Sequence, residues 1–140
     1  MTRAEIEELF ARRHEAIRRR DAIGAAAFHA IDGWYESPLA GSVRGRLAIA
    51  RVYEAWATGF PDLTPFEEEL VIDGDRGVSI MAYEGTDDGG FMGLPATGKH
   101  FRITIVFIGE IANGEFINSR SIYDFTGLLV QIGLLKTRPL

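Results

Sequence analysis

Apolar side chains return at helical spacing near the start of the chain, where Ile6, Leu9, Phe10, Ala16 and Ile17 fall on one face. Thr2 and Glu5 form the T-x-x-E box that opens such a helix, predicted from Ala4 to about Arg20. Asp21 is placed to cap a short second helix, Ala22 to Phe28. Gly33 to Pro38 reads as a short strand that the proline ends. A third helix, Arg46 to Thr58, carries Leu47, Ile49, Val52, Tyr53 and Trp56 on its apolar face, with Gly59 as a cap and Pro61 as a stop.

The second half changes period. Phe66–Asp73, Val78–Glu84, Phe101–Ile108 and Glu115–Tyr123 are rich in aromatic and β-branched residues, as strands are. Asp73-Gly74 and Asn113-Gly114 mark tight turns between neighbouring strands. Between Gly85 and Lys99 lies a glycine-rich loop. Asp124 can cap a last short helix, Phe125 to Ile132, stopped by Gly133. Helices followed by a run of strands predict an α+β fold, with helices against one face of a curved antiparallel sheet. Strands this apolar cannot face water on both sides. The sheet must wrap round the helices, meet a second subunit, or both.

Size and composition narrow the function. The 140 residues fit one domain, 1–140, and no cysteine is present, which excludes disulfides and thiol chemistry. A net charge of −5 argues against a nucleic-acid partner. Arg18, Arg19 and Arg20, with Arg12 and Arg13 before them, read as the solvated face of the first helix. No stretch is apolar enough to span a membrane and the N-terminus lacks an apolar leader, so a cytoplasmic protein is expected. No phosphate loop, metal cluster or nucleophile triad is visible.

Three segments carry a family resemblance: Gly59-Phe60-Pro61-Asp62-Leu63, then Gly85-Thr86 with Gly90 to Lys99, then Asp124 to Gly133. In this order and spacing they resemble the SnoaL-like polyketide cyclases, within the group that shares the nuclear transport factor cone. The resemblance implies a strongly curved sheet closing over three N-terminal helices (a cystatin-like α+β barrel) around a cone-shaped pocket. It implies a small hydrophobic cyclic ligand, no metal and no organic cofactor. The exposed sheet face predicts a homodimer or higher homo-oligomer through the convex surface. Cyclases of this family close a ring by an intramolecular aldol step, with one aspartate as general acid/base. Relatives isomerise steroids, open epoxides or hydroxylate aromatic polyketides.

Ser121 stands where the resemblance places the catalytic aspartate, and Phe107 where it places a histidine. A serine hydroxyl does not accept a proton near neutral pH as a carboxylate does. Candidate replacements are His14, at the edge of the first helix's apolar face, and Glu36, next to Trp34 and Tyr35 at the expected pocket mouth. Trp34, Tyr35, Tyr53, Trp56, Phe107, Ser121 and Tyr123 are the expected ligand contacts. Asp124 is read as a helix cap, Asp87 as lying in a wet loop, and His29 and His100 as structural or exposed. Three functions stay open: cyclase or isomerase by proton transfer, cofactor-free hydroxylase, and non-catalytic binding protein.

Overall fold

The computed structural model describes residues 1–136. Four α-helices and six strands follow in the order α1 (Arg3–Arg18), α2 (Ala22–Ala26), β1 (His29–Ser37), β2 (Gly41–Arg44), α3 (Arg46–Gly59), β3 (Thr64–Asp73), β4 (Arg76–Thr86), a 3₁₀ turn (Phe91–Gly93), β5 (His100–Ala112), β6 (Glu115–Tyr123) and α4 (Phe125–Gln131). The strands form one curved sheet in the order β2-β1-β6-β5-β4-β3. The helices pack in its concavity, giving an α+β cone.

Local chemistry explains most boundaries. The Thr2 hydroxyl accepts from Glu5 N, Asp21 from Gly24 N and Asp124 from Gly127 N, so three helices start on side-chain caps. Ala112 and Glu115 close a two-residue hairpin, with Asn113 and Gly114 both at positive φ, as a type I′ turn requires. Gly74, also at positive φ, turns β3 into β4.

Several elements depart from the sequence reading. The second helix ends at Ala26, and the chain enters β1 at His29. β2 was not anticipated. It is short and mostly exposed, so no apolar alternation announces it. β1 pairs antiparallel with β2 but parallel with β6, so one seam of the sheet is parallel. That pairing joins residues about ninety apart, which no local pattern encodes. Leu47, assigned to the apolar face of the third helix, is 71% exposed.

The closed end of the cone is built on a notch in the sheet. Gly77 and Gly109 face each other across β4 and β5. A Cβ at Gly77 would meet the Phe10 ring at 2.5 Å, and one at Gly109 would meet the Phe116 ring at 2.6 Å. The missing side chains let Phe10 sink onto the sheet, edge-on to Phe107 and Phe116. Phe10→Ala should therefore cost roughly 3–5 kcal/mol, and Leu47→Ala should stay within about 0.5 kcal/mol, both measured by urea unfolding.

Candidate functional site

Between the helices and the sheet lies a cavity lined by Ile17, Ala25, Val52, Tyr53, Trp56, Leu63, Tyr83 and Ile105, with Tyr35, Ser121 and Tyr123 from β1 and β6. Arg20, Asp21, Ala22 and Ala57 complete its wall. The gap between the walls is about 450 Å³, counting its open mouth. Space open to the centre of a water molecule is only about 20 Å³, close to what one water needs. The cavity is a narrow slot, and a ligand must push the walls apart or replace the few waters it admits.

Strand alternation brings the polar groups together. Ser119, Ser121 and Tyr123 share the inner face of β6, while Arg120 and Ile122 point outward. Ser121 Oγ lies 2.5 Å from Tyr35 Oη. Tyr35 stacks on Tyr53 at 5.9 Å between ring centroids. Trp56 contacts Tyr83 and Tyr123 edge-on. The slot is therefore aromatic-walled, with phenol and serine hydroxyls as its polar groups.

Behind Tyr53 sits a buried polar chain. Arg13 Nε donates to Tyr53 Oη at 2.8 Å, and His29 Nε2 lies 2.8 Å from the same oxygen. His29 Nδ1 faces Ser119 Oγ at 3.4 Å. Burial, then the charges of Arg13 and Arg46, push His29 down to about 3. The ring is neutral at physiological pH, with one nitrogen donating and the other accepting. Burial raises Tyr53 above the ordinary phenol value, against the opposing pull of Arg13. Tyr83 is raised by burial to about 12.

The structure separates the remaining candidates. Glu36 is exposed on the outer face of β1 and does not reach the cavity, and Trp34 is exposed beside it. In a strand the two share a face, and that face is the convex one. Phe107 is fully buried beneath the cavity, with the Arg13 guanidinium 3.4 Å from its ring centroid. His14 is buried, its Nδ1 lies 3.3 Å from Glu67 Oε2, and its Nε2 has no partner. Burial, then Arg13 and Arg18, push it to about 3, so the ring beside Glu67 is neutral at physiological pH.

Two further placements correct the sequence reading. Asp87 is fully buried, not wet: it accepts from Phe91 N, Thr97 N and Thr97 Oγ1 and shapes the central loop. Arg13 is 1% exposed, not part of a solvated face. Its position was legible, since it lies three residues after Phe10 and four before Ile17, on the helix's buried stripe. Treating it as one of a run of arginines concealed that. His29 was missed because the predicted second helix ran too far. Among the described residues no group of three His, Cys, Asp or Glu side chains could hold a metal ion. No described helix is long and apolar enough to cross a membrane.

The cone-shaped α+β fold is shared with solved SnoaL-like structures. The family model for SnoaL-like polyketide cyclase matches residues 8–132, and the chain belongs to that family. Among solved structures it is similar to TsrD of Streptomyces laurentii, with 26% identity, 96% of this chain and 99% of that one covered, and a TM-score of 0.84. It is similar to IdmH of Streptomyces antibioticus, a proposed polyketide cyclase, at 26% identity over 91% of this chain and 97% of that one, TM-score 0.77. AclR of Streptomyces galilaeus, a proposed hydroxylase, shares the fold at 23% identity over 99% and 91% of the two chains, TM-score 0.84. No curated protein sequence matches the chain.

Both buried histidines make stability depend on pH. Their folded pKa values lie below the ordinary 6.5, so the unfolded chain binds the extra protons. The stability they permit is complete above pH 6.5 and falls as pH drops toward 3. Each should remove roughly 1.4 kcal/mol per pH unit through that window. Urea unfolding across this range should show the loss, and His29→Gln should flatten part of it. A His29→Gln profile as steep as wild type would contradict it.

Proposed function

We propose that the protein takes a small, largely apolar cyclic ligand into the slot between α3 and β6 and holds it by stacking and by hydroxyl hydrogen bonds. The observation that carries this reading is the wall itself. Trp56, Val52, Leu63 and Ile105 supply apolar contact, and Tyr35, Tyr53, Tyr83, Ser121 and Tyr123 supply hydroxyls. The aldol mechanism based on one carboxylate is not carried over. Ser121 stands where the resemblance to the cyclases would put their aspartate, and Asp21, the one carboxylate in the wall, is exposed and caps α2. His14 and Glu36 are thereby set aside as catalytic bases.

A second reading, cofactor-free hydroxylation, is favoured by one observation: the phenol groups lie beside a buried cation, a setting that stabilises a deprotonated substrate. The reaction would then draw on the substrate's own electrons and on oxygen. The place of action in this account is the cytoplasm.

The convex side of the sheet supports a homodimer. Val71, Val78 and Ile108 form one cross-strand row, and Ile80, Val106 and Ile122 another, with Val71 and Ile122 about half exposed. Light scattering at micromolar concentration should give twice the chain mass, and Ile122→Glu should return the monomer.

Ligand capture is tested by calorimetry with a panel of aromatic polyketides and steroids. Ala57 is a half-buried wall residue on α3. Ala57→Phe should fill the slot, leave the fold intact by circular dichroism, and weaken binding at least about tenfold, or roughly 1.4 kcal/mol. Unchanged affinity in that variant would place the ligand elsewhere. Oxygen uptake with polyphenolic substrates tests the second reading, and none would leave binding alone.

A further inference from the structure

Arg13 breaks a rule that folded proteins rarely break. Its side chain is fully buried and charged at any physiological pH, yet none of the ion pairs among the described residues includes it. Nε is spent on Tyr53, but Nη1 has no hydrogen-bond partner. The rings of Phe107, at 3.4 Å, and Tyr53, at 5.5 Å, offset part of the lost hydration. They do not neutralise the charge. Buried cations are normally held by a carboxylate, and this one has no counter-ion among the described residues.

The guanidinium is not itself in the cavity wall and reaches it through Tyr53, which is. Tyr35, Tyr53 and Tyr83 line the slot, and all three stand in the field of the guanidinium. The only carboxylate among the lining residues, Asp21, is exposed and engaged with Gly24 N. Resting on the reading that the slot takes a cyclic ligand, we propose that its deep end is an anion site. It selects ring compounds that carry an anionic oxygen, a carboxylate, phenolate or enolate, with Arg13 supplying the charge and Tyr53 and Tyr83 presenting the hydrogen bonds.

His29 gives this site a proton arrangement that fits either state. With the slot empty of an anion, Tyr53 donates to His29 Nε2, and His29 Nδ1–H faces Ser119. In the other tautomer, His29 Nε2–H and Arg13 Nε both donate to Tyr53 Oη, and Ser119 turns from Trp34 O to donate to His29 Nδ1. The phenol proton is then free of His29. The two states hold the same number of protons, the ring exchanging its Nδ1 proton for one on Nε2, so an anion can be met by a hydroxyl donor with both rings neutral at the start and the end.

Calorimetry with two probes of the same shape tests this: 2-naphthoate and its uncharged counterpart 2-naphthamide. Wild type should bind the acid at least about tenfold more tightly. Arg13→Met should lose that preference and keep the amide's affinity, Tyr53→Phe should reduce it, and Arg20→Ser, removing the exposed arginine in the wall, should retain it. A second measurement on wild type covers the case in which Arg13→Met does not fold: 4-nitrophenol should ionise at lower pH when bound than when free, read from its phenolate absorbance. Equal affinity for both naphthalenes, a preference that survives Arg13→Met or vanishes in Arg20→Ser, or an unshifted nitrophenol would overturn the anion site while leaving a hydrophobic slot. Binding of neither naphthalene would overturn the slot reading and the anion site with it.

Discussion

The guanidinium of Arg13 has to be held in a place water does not reach, and the groups that hold it organise the closed half of the cone. Phe107 lies flat beneath it, Tyr53 accepts from it, and His29 locks Tyr53 from the other side. Each comes from a different element: α1, β5, α3 and β1. The parallel seam between β1 and β6, with its irregular register after His29, brings that histidine and Ser119 to the same point. The Gly77–Gly109 notch lets Phe10 settle against the sheet, one helical turn from Arg13. Burial keeps both histidines neutral, and the charge of Arg13 adds to it.

What the sequence made legible follows from how local its signals are. The caps at Thr2, Asp21 and Asp124 and the Asn113-Gly114 turn are short-range features, and each appears in the structure where its chemistry requires it. The inward row Phe101, Ile103, Ile105 and Phe107 is also a local pattern, set by the period of two in β5. Ser121 and Tyr123 share a face of β6 for the same reason, and helical spacing puts Tyr53 and Trp56 together on α3. The failures are long-range. Glu36 and Trp34 looked like pocket residues because aromatic neighbours suggested burial, but the curvature of the sheet puts their face outside. His29 depends on a strand pairing with residues far along the chain. Arg13 was in principle readable from its spacing to Phe10 and Ile17. A charge on a buried stripe is, however, outweighed in any local reading by four more arginines around it.

The resemblance to the cyclases puts a carboxylate where Ser121 stands, and a serine there would change what the cavity can do. A carboxylate brings negative charge and proton affinity to the inner face of β6. Ser121 brings a neutral hydroxyl, already engaged with Tyr35. With no acid on the wall at that depth, the dominant charge near the slot is positive, the reverse of an aspartate-centred site. A shared fold does not carry chemistry across such a reversal. Ligand preference follows the sign of the buried charge, and an anionic oxygen is the partner that sign selects.

A crystal structure of the protein with 2-naphthoate tests the central claim most directly. The account predicts the rings between Trp56 and the β6 face, and the carboxylate within about 3.2 Å of Tyr53 Oη, Tyr83 Oη or Arg13 Nη1. A carboxylate turned toward Arg20 and solvent, with the Arg13 cluster unchanged, would contradict it.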